Sequence, residues 1–285
     1  MRAAAVQMTS TADKAANLAT ASRLVADAAR VGADLVVLPE MFNCLGTGAE
    51  LRAGAEPLDG ETSAWAAATA RDHGIVLVAG SFVEAGGDDA PAGHNFNTSC
   101  VYSSSGERLA VYRKVHLFDV DVPGAEFRES DAVAAGDRLI TVALEHAGEH
   151  TAPDAELGLS ICYDIRFPEL TRILALRGAT IVAVPAAFTA TTGPPHWEIL
   201  LRARAIENQI FVIAAGQCGA TNERLRWHGH SMIIDPWGTV VAAAPGDGET
   251  EAVIVADLDA TEQERVRAVL PSLANRRPSA YRWPD

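Results

Sequence analysis

The chain has 285 residues, 48% of them apolar, and a formal net charge of −14. That length admits one large domain or two small ones, with enough apolar surface to cover a large sheet on both faces. The absence of a basic stripe argues against nucleic acid as a partner, and the absence of a bilayer-length apolar run argues against a membrane span.

In chain order, Arg2–Met8 reads as a strand, without the long apolar core of a signal peptide. Ala12–Val31 reads as an amphipathic helix with Leu18, Ser22, Val25 and Ala29 near one face. Asp34–Pro39 is a nearly continuous apolar run, the pattern of a strand buried on both faces. Glu61–His73 reads as a helix and Ile75–Phe82 as a strand. Asn97–Tyr102 and Leu109–Arg113 flank Ser-Ser-Ser-Gly-Glu, a hairpin signal. Residues 119–137 read as a long loop rich in Asp, Pro and Gly, which suggests an active-site or interface role.

The second half repeats the alternation. Gly158–Ile161 is a strand, Pro168–Arg177 a helix, Thr180–Val184 a strand, Trp197–Gln209 a helix and Phe211–Ala215 a strand. Ser231–Ile234 and Thr239–Ala243 form a hairpin about Asp-Pro-Trp-Gly, Glu251–Leu258 is the last strand and Thr261–Leu270 the last helix. Gly32–Phe42 and Gly178–Phe188 match in pattern. This echo predicts two pseudo-symmetric halves, each supplying one sheet, stacked with helices outside as a four-layer α-β-β-α sandwich. No linker or low-complexity run divides the chain, so one domain is expected over 1–285, with a C-terminal extension from about 271. That tail is basic and aromatic, and reads either as disordered or as an arm docking on a second subunit.

Four cysteines at 44, 100, 162 and 218 show no Cys-x-x-Cys spacing, which suits a reducing cytoplasm. His228-Gly-His230 lacks neighbouring Cys or carboxylate partners, so no metal and no cofactor are expected.

Three segments carry chemistry. Leu157–Glu169 runs as an apolar strand, Cys162, a turn and a helix with Pro168 in its first turn. A thiol there lies near the orphan N–H groups of a helix start, which favour a thiolate and bind a developing oxyanion. The same cysteine also fits a buried structural role. Ala33–Phe42 delivers Glu40 at a strand end, where catalytic groups of α/β sheets collect. Leu109–Asp119 carries Lys114 out of a strand among aromatic and apolar neighbours. Singly, Glu40 also reads as a solvated loop residue and Lys114 as a surface lysine. A competing Cys–His dyad would use His116 or His196 as base and leave Glu40 and Lys114 without roles. Arg166 and Glu169 read as a structural ion pair; Trp197, Trp237, Arg202 and Arg204 read as packing and interface residues.

Together, a Glu after an apolar strand, a Lys before His-Leu-Phe, and a Cys in Cys-Tyr-Asp-x-Arg-Phe-Pro-Glu resemble the nitrilase superfamily of carbon–nitrogen hydrolases. The likeness runs from the first strand to about Tyr281 and is strongest to the branch of deaminated glutathione amidases and omega-amidases. It implies the α-β-β-α sandwich, a pairing of subunits into at least a homodimer, and a second glutamate in a Phe-x-Glu-Ser segment, here Glu129 of Phe127-Arg-Glu-Ser130.

The constellation permits an amidase cycle. Glu40 takes the proton of Cys162; Lys114 and the backbone N–H of Tyr163 receive the oxyanion; Glu129 orients Lys114; a thioester forms and water cleaves it. Two carboxylates beside one ammonium raise the prospect that one is protonated. Phe42, Phe118, Phe188 and the 119–137 loop are expected to close a small apolar pocket, with Thr189 or backbone N–H groups of 189–192 receiving a substrate carboxylate. The expected substrate is a small acid with a terminal carboxamide. Pro185–Gly193 and the Arg202–Asn208 helix look closer to deaminated glutathione amidases, and His116–Gly124 closer to omega-amidases. Nitriles, N-carbamoyl groups and an inactive scaffold role are the alternatives.

Overall fold

A computed structural model describes residues 1–122, 125–144, 155–223, 225–246 and 248–281. The first half contains β1 (Arg2–Gln7), α1 (Lys14–Arg30), β2 (Leu35–Val37), α2 (Gly48–Ala53), α3 (Glu61–His73), β3 (Val76–Val78), β4 (Phe82–Glu84), β5 (Phe96–Tyr102) and β6 (Arg108–Arg113). A small hairpin of β7 (Asp119–Val122) and β8 (Ala125–Arg128) follows. The second half contains β9 (Thr141–Ala143), β10 (Glu156–Leu159), α4 (Pro168–Leu176), β11 (Ile181–Ala186), α5 (Gly193–Asn208), β12 (Phe211–Gly216), β13 (Met232–Ile234), β14 (Val240–Ala243), β15 (Ala252–Asp257) and α6 (Ala260–Val269).

One sheet has the order β15-β1-β2-β3-β5-β4, with β6 also paired to β5; the other has the order β14-β13-β12-β11-β10-β9. The pleat explains how they stack. Ala3, Ala5, Leu35, Val37, Val76 and Val78 point into a core shared with Leu157, Leu159, Ile181, Ala183 and Ile213 of the second sheet. Their neighbours Ala4, Val6, Val36 and Leu77 point the other way, onto Leu18, Ala21, Leu24, Val25 and Ala28 of α1 and Ala66 and Ala70 of α3. The period of two along each strand thus builds an inter-sheet core and a helix-covered outer face at once. With α4 and α5 packed on the second sheet, the four-layer α-β-β-α sandwich is the architecture of this chain.

Several expectations are corrected. The last strand, β15, does not extend the second half's sheet. It returns to the first and pairs antiparallel with β1, from Arg2↔Asp257 to Gln7↔Ala252. The halves are therefore not each one sheet, because this pairing joins chain ends that share no local pattern. Ile75–Phe82 is two strands, broken at Ala79–Ser81. Gly80 has φ +45°, and a Cβ on it would lie 2.0 Å from the carbonyl oxygen of Pro39, the residue before Glu40. The break lets one chain segment press against the other. The 119–137 loop holds the β7–β8 hairpin and a 3-10 turn, Glu129–Asp131. The region's run of Asp, Pro and Gly reads as a loop and hides two four-residue strands. The buried face of α1 is Leu18, Ala21, Leu24, Val25 and Ala28, with Ser22 and Ala29 at its margins. The tail folds a 3-10 turn at Pro278–Ala280, and residues 282–285 lie outside the described residues.

Candidate active site

Glu40, Lys114, Glu129 and Cys162, drawn from four separate segments, line one cavity of about 430 Å³. Glu40 follows β2 and its backbone is clamped. Gln217, fully buried at the end of β12, donates from Nε2 to the Glu40 carbonyl at 3.0 Å. The next residue, Met41, takes φ +54°, a left-handed conformation that a side chain rarely adopts. Lys114 follows β6, and Glu129 follows β8.

Lys114 is 2% exposed, and its ammonium lies between two carboxylates. Nζ donates to Glu40 Oε1 at 2.9 Å and to Glu129 Oε1 and Oε2 at 3.1 and 2.9 Å. Asn97 of β5 bridges the same pair, with Nδ2 at 2.9 Å from Glu40 Oε1 and 3.1 Å from Glu129 Oε1. The Ala187 N–H donates to Glu40 Oε2 at 2.8 Å, and the Phe118 N–H to Glu129 Oε2 at 2.7 Å. Each carboxylate is thus held by fixed donors, which is how buried charges are retained.

Cys162 opens a 3-10 turn, Cys162–Arg166, and takes φ +45°. Asp164, with no exposed surface, fastens that turn to the lysine segment. Its Oδ2 accepts from the Ile161 N–H at 2.8 Å and from the Tyr112 hydroxyl at 2.6 Å. Its Oδ1 accepts from the His116 N–H at 3.0 Å and lies 2.8 Å from His116 Nδ1. A strained cysteine backbone persists because its surroundings over-determine it.

The electrostatics differ from the expectation for a thiol at a helix start. Burial pushes the Cys162 thiol well above its usual 9.0, and the charge of Glu40 adds to that push, while Lys114 opposes it. The thiol rests protonated. Burial also raises Glu40, but the charge and hydrogen bond of Lys114 outweigh it, helped by Cys162 and the Ala187 N–H, and hold the carboxyl below 4.5. Burial would lower Lys114, yet Glu129 and Glu40 raise it well above 10.5. A neutral thiol therefore sits beside an ionised carboxylate and a charged ammonium.

Other sequence candidates separate. Phe118 lines the cavity. Tyr163 has its ring on Phe118 and Phe167, at 5.1 and 5.4 Å between centroids. Its backbone N–H, beside Cys162, makes no hydrogen bond among the described residues. Phe42, Phe188 and Thr189 are not in the cavity wall. Phe42 is wholly buried against Trp65. Phe188 packs on Trp197, and the Thr189 hydroxyl pairs with that of Thr192 at 2.8 Å. Trp65 and Trp197 draw those rings away from the cavity, and the Thr189–Thr192 bond occupies the hydroxyl expected for a substrate.

Neither histidine of the dyad reading lines the cavity. His116 is taken by Asp164 and stacked on Phe167 at 3.6 Å, and His196 Nδ1 lies 3.2 Å from Arg166 Nη1. Arg166 reaches that histidine and the Tyr163 and Phe188 rings, not Glu169. Trp197 is buried and donates to the His230 carbonyl at 2.7 Å, whereas Trp237 is exposed. Sequence reasoning missed Asn97, whose type and spacing carry no signal. It also missed Asp164, which the Cys-Tyr-Asp segment displays and which burial alone makes significant.

A hydrolase of carbon–nitrogen bonds, built as a double-sheet sandwich with a cysteine at a strand end, is the class that the fold and the comparisons define together. The chain belongs to the carbon–nitrogen hydrolase family, whose model matches residues 2–268. It is 44% identical over 276 residues to the deaminated glutathione amidase of Synechocystis sp. (strain PCC 6803 / Kazusa), covering 96% of this chain and 97% of that one. It is 41% identical over 283 residues to the omega-amidase of Danio rerio, covering 98% and 96%. The crystal structure of Saccharomyces cerevisiae Nit3, a member of branch 10 of the nitrilase superfamily, superposes with a TM-score of 0.84 at 32% identity, over 97% of this chain and 96% of that one. Among the described residues no helix is long and apolar enough to cross a membrane.

Proposed function

We propose that the protein is an amidase that hydrolyses the terminal carboxamide of a small acid, releasing ammonia through a thioester on Cys162. The observation that carries this reading is geometric: Cys162 shares one cavity with Glu40, and the Lys114 ammonium is held between Glu40 and Glu129. Glu40 accepts the thiol proton as sulfur attacks the amide carbon. The oxyanion gains the Lys114 ammonium and the open Tyr163 N–H, donors worth about 3–4 kcal/mol each in a serine protease where one was removed. The carbon–nitrogen bond breaks, and Glu40 hands its proton to the departing ammonia. Glu40 then takes a proton from water, whose oxygen attacks the thioester, and the proton returns to sulfur. Glu129 and Asn97 act by positioning Lys114 and Glu40. Substrate, water and these side chains account for every proton in the cycle.

The substrate is deaminated glutathione or the omega-amide of a 2-oxo dicarboxylate. Similarity to a deaminated glutathione amidase and to an omega-amidase supports both, and a cavity of about 430 Å³ suits a small molecule. Ammonia release, measured over these two amides, aliphatic nitriles and N-carbamoyl amino acids, tests the reading. The two amides should react and nitriles should give little. Rate should persist well below the histidine range of about 6.5 and fall only as Glu40 protonates. Faster nitrile turnover, or an acid limb near 6.5, would sink the substrate or the base respectively. No release from any of the four would favour a scaffold role.

The protein acts as at least a homodimer in this reading, with the C-terminal extension from about 271 contributing to its assembly. Exposed Ile173, Leu176, Ile199 and Ile206 on α4 and α5, and Val269 on α6, support a covered face there. Light scattering at micromolar concentration should give about twice the 30.0 kDa of one chain, and a monomer would refute it. All four cysteines are buried thiols outside any disulfide among the described residues, which suits a reducing cytoplasm.

A further inference from the structure

The cavity that holds Cys162 carries two cations the amidase cycle does not use. Arg52, on α2, and Arg128, the last residue of β8, both line it, and both are exposed, so they stand toward its solvent end. Neither guanidinium forms an ion pair or a side-chain hydrogen bond among the described residues. Other described arginines also lack an ion pair, Arg172 and Arg267 among them, but Arg52 and Arg128 are the ones that line this cavity, Arg128 lying across the β7–β8 hairpin from Asp119. Elsewhere on the same surface Arg2 pairs with Asp257, Arg23 with Glu251, Arg108 with Asp59 and Arg113 with Glu84.

The inner end of the cavity has the opposite balance. Glu40 and Glu129 bring two negative charges and Lys114 one positive, so the reacting centre carries about one net negative charge before substrate enters. A carboxylate would be repelled from that end, and a neutral carboxamide would not. Between the two ends the wall is largely apolar, with Met41, Leu45, Leu51, Val83, Phe127 and Trp227. A substrate with an uncharged amide at one end, a short carbon chain and an anion at the other would match this gradient. A planar guanidinium also grips a carboxylate through two parallel hydrogen bonds. Both arginines sit on structured segments. Arg128 immediately precedes Glu129. The helix bearing Arg52 is held by a reciprocal cap between Thr47 and Glu50.

We infer that Arg52 and Arg128 are specificity-determining residues that bind the far carboxylate of the substrate and orient its carboxamide toward Cys162. This rests on the amidase reading and deepens it, by selecting acids over neutral amides of the same length.

Two substrates of equal length separate the effect from general damage: 4-carbamoylbutanoate, which is anionic, and 5-hydroxypentanamide, which is not. The wild type should show the higher kcat/KM on the acid. Arg52→Ala and Arg128→Ala should each lower the acid-to-alcohol ratio of kcat/KM by about 10-fold, through KM more than kcat, and Arg→Lys should restore part of it. An unchanged ratio in both variants would overturn the inference, whether or not overall activity fell. A turnover-independent arm uses iodoacetamide alkylation of Cys162. In the wild type 4-carbamoylbutanoate should protect the thiol, and in the double Arg52→Ala/Arg128→Ala protein it should protect only at about 100-fold higher concentration. If neither amide were hydrolysed the amidase reading would fail, and this protection shift would still decide the role of the arginines. Equal protection of both proteins would contradict it.

Discussion

Cys162→Ala is expected to abolish ammonia release while leaving the fold in place. Loss of a nucleophile costs on the order of 10⁶ in kcat where it has been measured in a serine protease. No other thiol can substitute. Cys44, Cys100 and Cys218 are buried in other parts of the structure, and burial pushes Cys100 up to about 12. The change should cost little stability. Glu40 keeps Lys114, Asn97 and the Ala187 N–H as partners, and Asp164 still fastens the turn. A denaturation midpoint close to that of the wild type, with no detectable turnover, is the expected pair of results. Residual turnover above about one part in a thousand would remove Cys162 from the reacting centre.

Lys114→Ala should be damaging in two ways at once. The oxyanion loses its cation, so turnover should collapse as it does for Cys162→Ala. The fold also suffers, because Glu40 and Glu129 are left facing each other with side chains 6% and 15% exposed. Removing one member of a buried ion pair typically costs about 3–5 kcal/mol, since the charge left behind is desolvated and unpaired. The pH dependence identifies the cause. In the wild type the Glu40 carboxyl lies below its ordinary 4.5, so the stability it supplies is complete above 4.5 and is lost as pH falls through the lower folded value. Without Lys114, burial dominates and the carboxyl rises. The variant's deficit should then be full at neutral pH and shrink as acid protonates Glu40. Urea unfolding at pH 7 and at pH 4.5 measures this, and a deficit that grows in acid would contradict the assignment of charges.

How much of this was legible in the sequence follows from the range of the forces involved. Strands such as Leu35–Val37 and Ile181–Ala186 announce themselves because a strand buried on both faces must be apolar throughout. Helix α3 was read to the residue because Gly60 and Gly74 bracket it. The meeting of Glu40, Lys114, Glu129 and Cys162 was not readable from any one segment. Each is ambiguous alone, and only their order, through resemblance to a family, brought them together. What stayed hidden was set by tertiary contact. Asn97 joins the two carboxylates from the start of β5, whose sequence asks only for a strand. Asp164 looks like an ordinary turn residue until four groups converge on it. The resting state of the thiol is set by contact too: a helix start favours a thiolate, but burial and the charge of Glu40 disfavour it more strongly, so the thiol needs Glu40 as its base. Phe188 and Thr189 were misplaced because a buried strand leads into both the cavity wall and the second sheet's outer layer, and Trp197 claims the ring.

The proposed cycle turns on an acyl group carried by sulfur. Acid-quenching the enzyme during turnover of 4-carbamoylbutanoate or deaminated glutathione, followed by digestion and mass spectrometry, tests it directly. The predicted result is an acyl adduct on the peptide bearing Cys162, equal in mass to the substrate less ammonia, absent from Cys162→Ala and discharged by hydroxylamine. Ammonia release with no adduct on Cys162 under any quench, or an adduct on another residue, would contradict it.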